Sequence, residues 1–170
     1  MKKLLVLAMA VLMLFSSIVS ASAVTIGFSQ IGQESDWRTA NTDSVKAAIA
    51  AEGWELVYDD AQQKQENQVK ALRNFISQNV DYILFTGVVS TGWDEVLKEV
   101  NEAEIPLVLL DRMPEQSTLD NIEYAAAFGG DFVEEGRRMA LWTANYVEKL
   151  GKSGEELNVV ILEGTTGADA

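Results

Sequence analysis

The chain has 170 residues, 13 basic against 26 acidic side chains, a formal charge of −13, and neither histidine nor cysteine. A balance this acidic repels nucleic acid and anionic membranes. Without cysteine there are no disulfides, thiolate metal sites or lipid-modified N-terminal cysteine, and without histidine the commonest general base and metal ligand are missing.

In chain order, Lys2 and Lys3 precede an apolar run over 4–15, then Ser16, Ser17 and the small triplet Ala21, Ser22, Ala23. This is the three-part pattern of a secretory signal peptide over residues 1–23, with cleavage after Ala23. Its apolar run is shorter than the roughly 20 residues of a spanning helix, which argues against a membrane anchor. Cleavage removes two lysines and no acids, leaving 11 basic against 26 acidic residues, a formal charge of −15. The mature part is long enough to bury a core of its own.

A short apolar strand is predicted over 24–30, followed by a polar loop and a helix over 37–52 with Val45, Ala48 and Ile49 on one face, closed by Gly53. A strand over 54–59 leads to a helix whose Val69, Leu72 and Ile76 sit three and four apart. Next come a strand over 82–85, a helix over 93–103 striped by Trp93, Val96, Leu97 and Val100, and a strand over 106–110 that Pro106 opens. Beyond Pro114 the pattern gives a strand over 123–128, a helix over 131–150 and a strand over 158–163. Near-continuous apolar strands alternating with amphipathic helices specify an α/β fold, a parallel sheet flanked by helices on both faces. Ligands in such folds lie at the carboxyl ends of the strands. That rule selects the loops 29–37, 60–65, 86–92, 111–119 and 129–131.

The first of these loops gathers Glu34, Ser35, Asp36, Trp37 and Arg38. The mixture suits a polyol: carboxylates accept from hydroxyls, a guanidinium donates in a fixed fork, and an indole can lie against the apolar face of a sugar ring. The same residues also read as a helix N-terminus capped by Ser35 or Asp36 with Trp37 as a packed staple. Asp111 and Arg112 directly follow the fourth strand, where they read either as a ligand clamp or as a surface ion pair. Trp93 is either a second wall of the site or, from its stripe, a core residue. Neither a G-x-G-x-x-G run nor a G-K-[ST] motif occupies the first loop, and the small turn at 164–167 reads as a backbone requirement and not a phosphate cradle. No pair of acids is positioned by the sequence for glycoside chemistry. The residues favour a binding module over an enzyme, with no cofactor and no metal.

Taken together, Thr25-Ile26-Gly27-Phe28-Ser29-Gln30-Ile31-Gly32-x-Glu34-Ser35-x-Trp37-Arg38, then Gln62 to Gln68, Thr91-Gly92-Trp93-x-x-Val96-Leu97-Lys98, Glu104-Ile105-Pro106 and Leu109-Leu110-Asp111-Arg112 resemble the ribose/galactose-binding family of ABC-transporter receptors. The likeness is strongest to its galactofuranose-binding members, and runs from the signal to about residue 112 and again from Asp131 onward. It implies a type I periplasmic-binding-protein fold of two α/β lobes closing over one sugar. Residues 24–128 would form the N-terminal lobe and 129–170 the beginning of a second, incomplete lobe, in a chain that ends early relative to the family. It also implies that Glu34, Ser35, Trp37, Arg38, Asp111 and Arg112 line the cleft, and that the partner is a membrane permease of an ABC transporter. Asp36 stands where the family often has a small residue.

The combined reading is capture of a monosaccharide, galactofuranose or a related galactose or arabinose form, by a monomeric periplasmic protein. Trp37 would stack on the ring, with Glu34, Asp36 and Asp111 accepting from hydroxyls and Arg38 and Arg112 donating. A repressor of the same architecture would need an N-terminal helix-turn-helix where the signal stands. A sugar-binding chemoreceptor ligand protein and an α/β sugar-processing enzyme are the remaining alternatives.

Overall fold

The computed structural model describes residues 23–162, so the signal segment before Ala23 and the turn at 164–167 lie outside the described residues. Five strands alternate with five helices: β1 (Thr25–Gln30), α1 (Asp36–Ala51), β2 (Glu55–Asp60), α2 (Gln65–Ser77), β3 (Tyr82–Phe85), α3 (Asp94–Glu102), β4 (Leu107–Leu110), α4 (Gln116–Leu119), β5 (Ala126–Phe128) and α5 (Phe132–Lys149). All four strand pairings are parallel, in the order β2-β1-β3-β4-β5. From β1 the chain steps one way to β2, then crosses back over β1 to β3 and continues in the other direction. The reversal opens a crevice between the carboxyl ends of β1 and β3.

The period-2 alternation of β1 divides its side chains between the two helical layers. Phe28 meets Tyr58, ring centroids 5.7 Å apart, and Lys46 of α1 lies 3.8 Å from the Tyr58 ring centre, so this face is covered by α1. Gly27 points to the opposite face, where a Cβ would come within 2.7 Å of the Phe75 ring of α2. On that side Ala71, Leu72 and Phe75 of α2 and Trp93, Val96, Leu97 and Val100 around α3 pack against Ile83, Phe85, Leu107 and Leu109 in one continuous apolar core. Trp93 is fully buried, edge-on to Phe85 at 4.9 Å, so of its two readings the structure selects the core.

The first three helices end by one device. After α1 the N–H of Trp54 returns to the carbonyl of Ile49 and that of Gly53, at φ 71°, to Ala50, a Schellman closure. The same pair of bonds ends α2 with Asn79 and α3 with Glu104 in the left-handed position, where the sequence carries no glycine to announce it.

Three sequence expectations are corrected. The inner face of α1 is not the Val45, Ala48, Ile49 stripe: Ala48 is exposed, and the buried positions are Arg38, Thr42 and Ile49. The reason is that Gln30, at the end of β1, sends its amide into this layer and donates to Asn41 and Thr42, so the helix needs polar groups there. A single helical turn, α4, stands where only a loop was expected, tied to α3 by Thr118 donating to Asp94 at 2.9 Å. Residues 158–162 form no strand, and Val159, Val160, Ile161 and Leu162 are 70–93% exposed, because none of the sheet's strands pairs with them. α5 likewise has no buried residue.

Replacing Gly27 with Ala drives a methyl into the Phe75 ring, which is itself fully buried and cannot retreat. Gly27→Ala is expected to lower unfolding free energy by about 1–3 kcal/mol, read from the urea midpoint at unchanged slope.

Candidate functional site

The carboxyl ends of β1, β2, β3 and β4 converge on a recess of about 170 Å³ lined by Ile31, Glu34, Gln63, Val88, Val89 and Arg112. It sits at the crevice between β1 and β3; four of the five loops selected from the sequence line it, and the fifth braces it through Gly129. Its volume is below the roughly 300 Å³ of a typical small-molecule pocket, which fits one wall of a cleft.

The first wall is the N-terminus of α1. Ser35 is its N-cap, in extended conformation, and its hydroxyl accepts from the backbone N–H of Arg38 at 3.2 Å. That geometry delivers Arg38 into the protein. Its side chain is 3% exposed; Nε donates to Glu34 Oε1 at 3.0 Å and Nη2 pairs with Asp111 Oδ2 at 2.8 Å. Nη1 is buried with no hydrogen-bond partner among the described residues. A cation in the first turn is opposed by the helix dipole, so Arg38 depends on these two carboxylates to be there at all. Trp37, 57% exposed, lies over the guanidinium with its ring centre 4.8 Å from Cζ.

The second anchor is Asp111, at φ 61° just past β4. Asp tolerates the left-handed region better than most residues. The conformation is held by its N–H donating to the carbonyl of Phe128 at 2.6 Å and by Gly129, whose absent Cβ would stand 2.7 Å from the Asp111 carbonyl oxygen. Turning the backbone this way aims Asp111 at Arg38 and leaves Arg112 in the recess.

Glu34, Arg38 and Asp111 therefore form one bonded group, with Arg112 in the lining beside Glu34. Ser35 is occupied as a cap. Asp36 opens the helix and is exposed, and Trp37 stands beside the recess, outside its lining. Gln63, Val88 and Val89 lie in loops that the strand-end rule selects, but they were not among the candidate site residues. Gln63, like Gln62, has positive φ, and its N–H donates to Ile31 at 2.7 Å, locking this loop against the first one. The available signal was an apolar pair, Val88-Val89, inside an otherwise polar loop. Behind it, Trp93 Nε1 donates to the Val89 carbonyl at 2.7 Å, so the core tryptophan also braces the site.

Outside the recess, at the edge strand, burial pushes the Asp59 carboxyl up, with neighbouring Asp60 adding to the shift, and burial likewise raises the Tyr58 phenol. Asp60 is engaged with the site loops, accepting from Gln33 at 3.1 Å and from the N–H of Gln62 at 2.9 Å.

Residues 26–170 match the family described as periplasmic binding protein domain. The chain belongs to this family. This periplasmic binding protein domain is built on a parallel sheet flanked by helices. It is 43% identical over 168 residues to the galactofuranose-binding protein YtfQ of Escherichia coli (strain K12), a match that takes in 99% of this chain and 51% of that protein. A Mycobacterium smegmatis structure in complex with β-D-fucofuranose superposes with a TM-score of 0.76 at 48% identity, over 86% of this chain and 47% of that one. The periplasmic binding protein component of the arabinose ABC transporter from Shewanella sp. ANA-3, bound to α- and β-L-arabinofuranose, gives 0.71 at 42%, over 85% and 45%. The chain thus spans about half the length of these relatives. Among the described residues no helix is long and apolar enough to cross a membrane.

Arg38→Leu leaves Glu34 and Asp111 facing each other without their shared cation. Breaking a fully buried pair costs about 3–5 kcal/mol. Here the two carboxylates keep 22% and 25% exposure, so the expected loss is nearer to about 2–3 kcal/mol in urea unfolding. Trp37→Ala, at a half-exposed position, is expected to lose under about 1 kcal/mol in the same assay.

Proposed function

We propose that this chain begins an exported solute-binding protein that captures a monosaccharide in furanose form, with galactofuranose the leading ligand, and delivers it to the permease of an ABC transporter. The observation that carries this reading is the recess itself. Glu34 and Arg112 line it, and behind Glu34 stands the Arg38–Asp111 ion pair, so that the two carboxylates and two guanidiniums sum to no net formal charge. Such a site favours a neutral, hydroxyl-rich ligand over an ion, since every hydroxyl can both donate and accept. Glu34 and Asp111 keep part of their surface open to accept from hydroxyls, Arg112 donates, and the half-exposed indole of Trp37 offers an apolar plane for the ring. Arg38 acts by holding the acids in place, with Ser35 fixing the helix end and Asp36 reachable at the rim.

The names of the relatives support the class of ligand: galactofuranose, fucofuranose and arabinofuranose are all furanoses. On this reading residues 1–23 are a cleaved signal, 24–128 the first lobe and 129–170 the start of the second, with the mature protein monomeric in the periplasm. Exposed Met139, Trp142 and the apolar segment 159–162 support a further lobe packing over them. The protein binds and releases its sugar without altering it.

The test is a thermal-shift panel on the protein carrying both lobes, expressed from Val24 onward, against galactofuranose, fucofuranose, arabinofuranose and the pyranose forms of glucose and ribose. A ligand at 100 times its dissociation constant adds about 2.7 kcal/mol of stability. A rise selective for furanoses and lost in Arg112→Ala is the expected result; a flat panel from folded protein overturns the sugar assignment.

A further inference from the structure

The loop after β3 supplies Val88 and Val89 to the recess, and its hold on the sheet passes through one side chain from the opposite helical layer. Gln68 of α2 is fully buried. Its Nε2 donates to the Thr86 carbonyl at 2.7 Å and to Ser29 Oγ at 3.3 Å, while its Oε1 accepts from the N–H of Val88 at 2.8 Å. One amide therefore joins the last residues of β1, the exit of β3 and the first recess-lining residue of the loop, across the crevice where the strand order reverses. Everything it bonds is uncharged: a hydroxyl, a carbonyl and a backbone amide.

We propose that Gln68 is the positioning residue for the second wall of the sugar site, setting where Val88 and Val89 stand relative to Glu34 and Arg112. The inference rests on the sugar reading above for its functional consequence, while the placement of the loop stands on the hydrogen bonds alone. A glutamine suits this task because it is the one side chain of its length that offers a donor and an acceptor together without charge. The Thr86 carbonyl requires the donor and the Val88 N–H requires the acceptor. An apolar residue of the same shape fills the space but leaves both backbone groups buried and unpaired, which destabilises the loop at the point where it meets ligand.

Two variants separate positioning from packing. In Gln68→Glu the carboxylate accepts from Val88 but faces the Thr86 carbonyl without a proton; once protonated, its single O–H can donate to that carbonyl, which restores both backbone bonds and leaves out only the one to Ser29 Oγ. Gln68→Met keeps the volume and loses all three bonds at every pH. The protein with both lobes is titrated with galactofuranose between pH 5 and pH 8, and hydrogen exchange of the Val88 amide is measured without sugar. The expected result is an affinity for Gln68→Glu about tenfold below wild type at pH 8 that recovers toward wild type at pH 5. Gln68→Met is expected to stay about tenfold weak throughout, with Val88 exchange accelerated in Gln68→Met and, at pH 8, in Gln68→Glu. Affinities equal to wild type in both variants, or Val88 exchange unchanged in Gln68→Met, overturn the proposal. If wild type itself binds no sugar while Val88 exchange responds as expected, the sugar reading fails and the loop assignment stands.

Discussion

A guanidinium buried at the first turn of a helix is an unfavourable object by itself. The helix dipole repels it and removal from water penalises it, so its presence has to be compensated by partners close at hand. Arg38 finds them on two separate parts of the chain: Glu34, four residues back, and Asp111, beyond the fourth strand. Because both bonds are needed, the arrangement fixes the distance between the loop after β1 and the loop after β4, and with it the width of the recess between them. Ser35 as N-cap, the left-handed turn at Asp111 and the glycine at 129 that permits close approach all serve this one contact.

The sheet order explains why the contact falls where it does. In a parallel sheet that reverses direction between β1 and β3, the connecting loops part at that point and leave room that no helix fills. The protein braces the gap from both layers. Gln30 ties the end of β1 to α1, and Gln68 ties β1 and β3 to α2, each with an uncharged amide that satisfies donors and acceptors at once. The polar groups left facing the crevice are then held rigidly by bonds made behind them, which lowers the ordering cost of binding a small ligand.

Much of this was legible in the sequence because it is periodic. The strand at 82–85 falls on its predicted residues and the other four lie within the predicted spans to one residue or a few, since apolar runs between turn residues leave little freedom. The loops that form the recess followed from the strand-end rule. What could not be read was non-local. Nothing local to Arg38 points to Asp111, and the polar inner face of α1 depends on where Gln30 sends its amide. The segment 158–162 reads as a strand by composition, yet a strand exists only when a neighbour supplies the other half of its hydrogen bonds, and the described sheet offers none. The Gln-rich stretch before α2 drew notice as part of a resemblance, while the structural role of Gln68 depends on contacts with β1 and β3 that only the fold reveals.

If Arg38 serves the proposed ligand by holding Asp111 in place, the two residues contribute to binding as one unit. A double-mutant cycle on galactofuranose binding, with Arg38→Lys, Asp111→Asn and the pair, tests it most directly in the protein carrying both lobes. The double variant is expected to lose less affinity than the sum of the single losses, with a coupling energy above about 1 kcal/mol; losses that add to within about 0.5 kcal/mol would contradict the coupling.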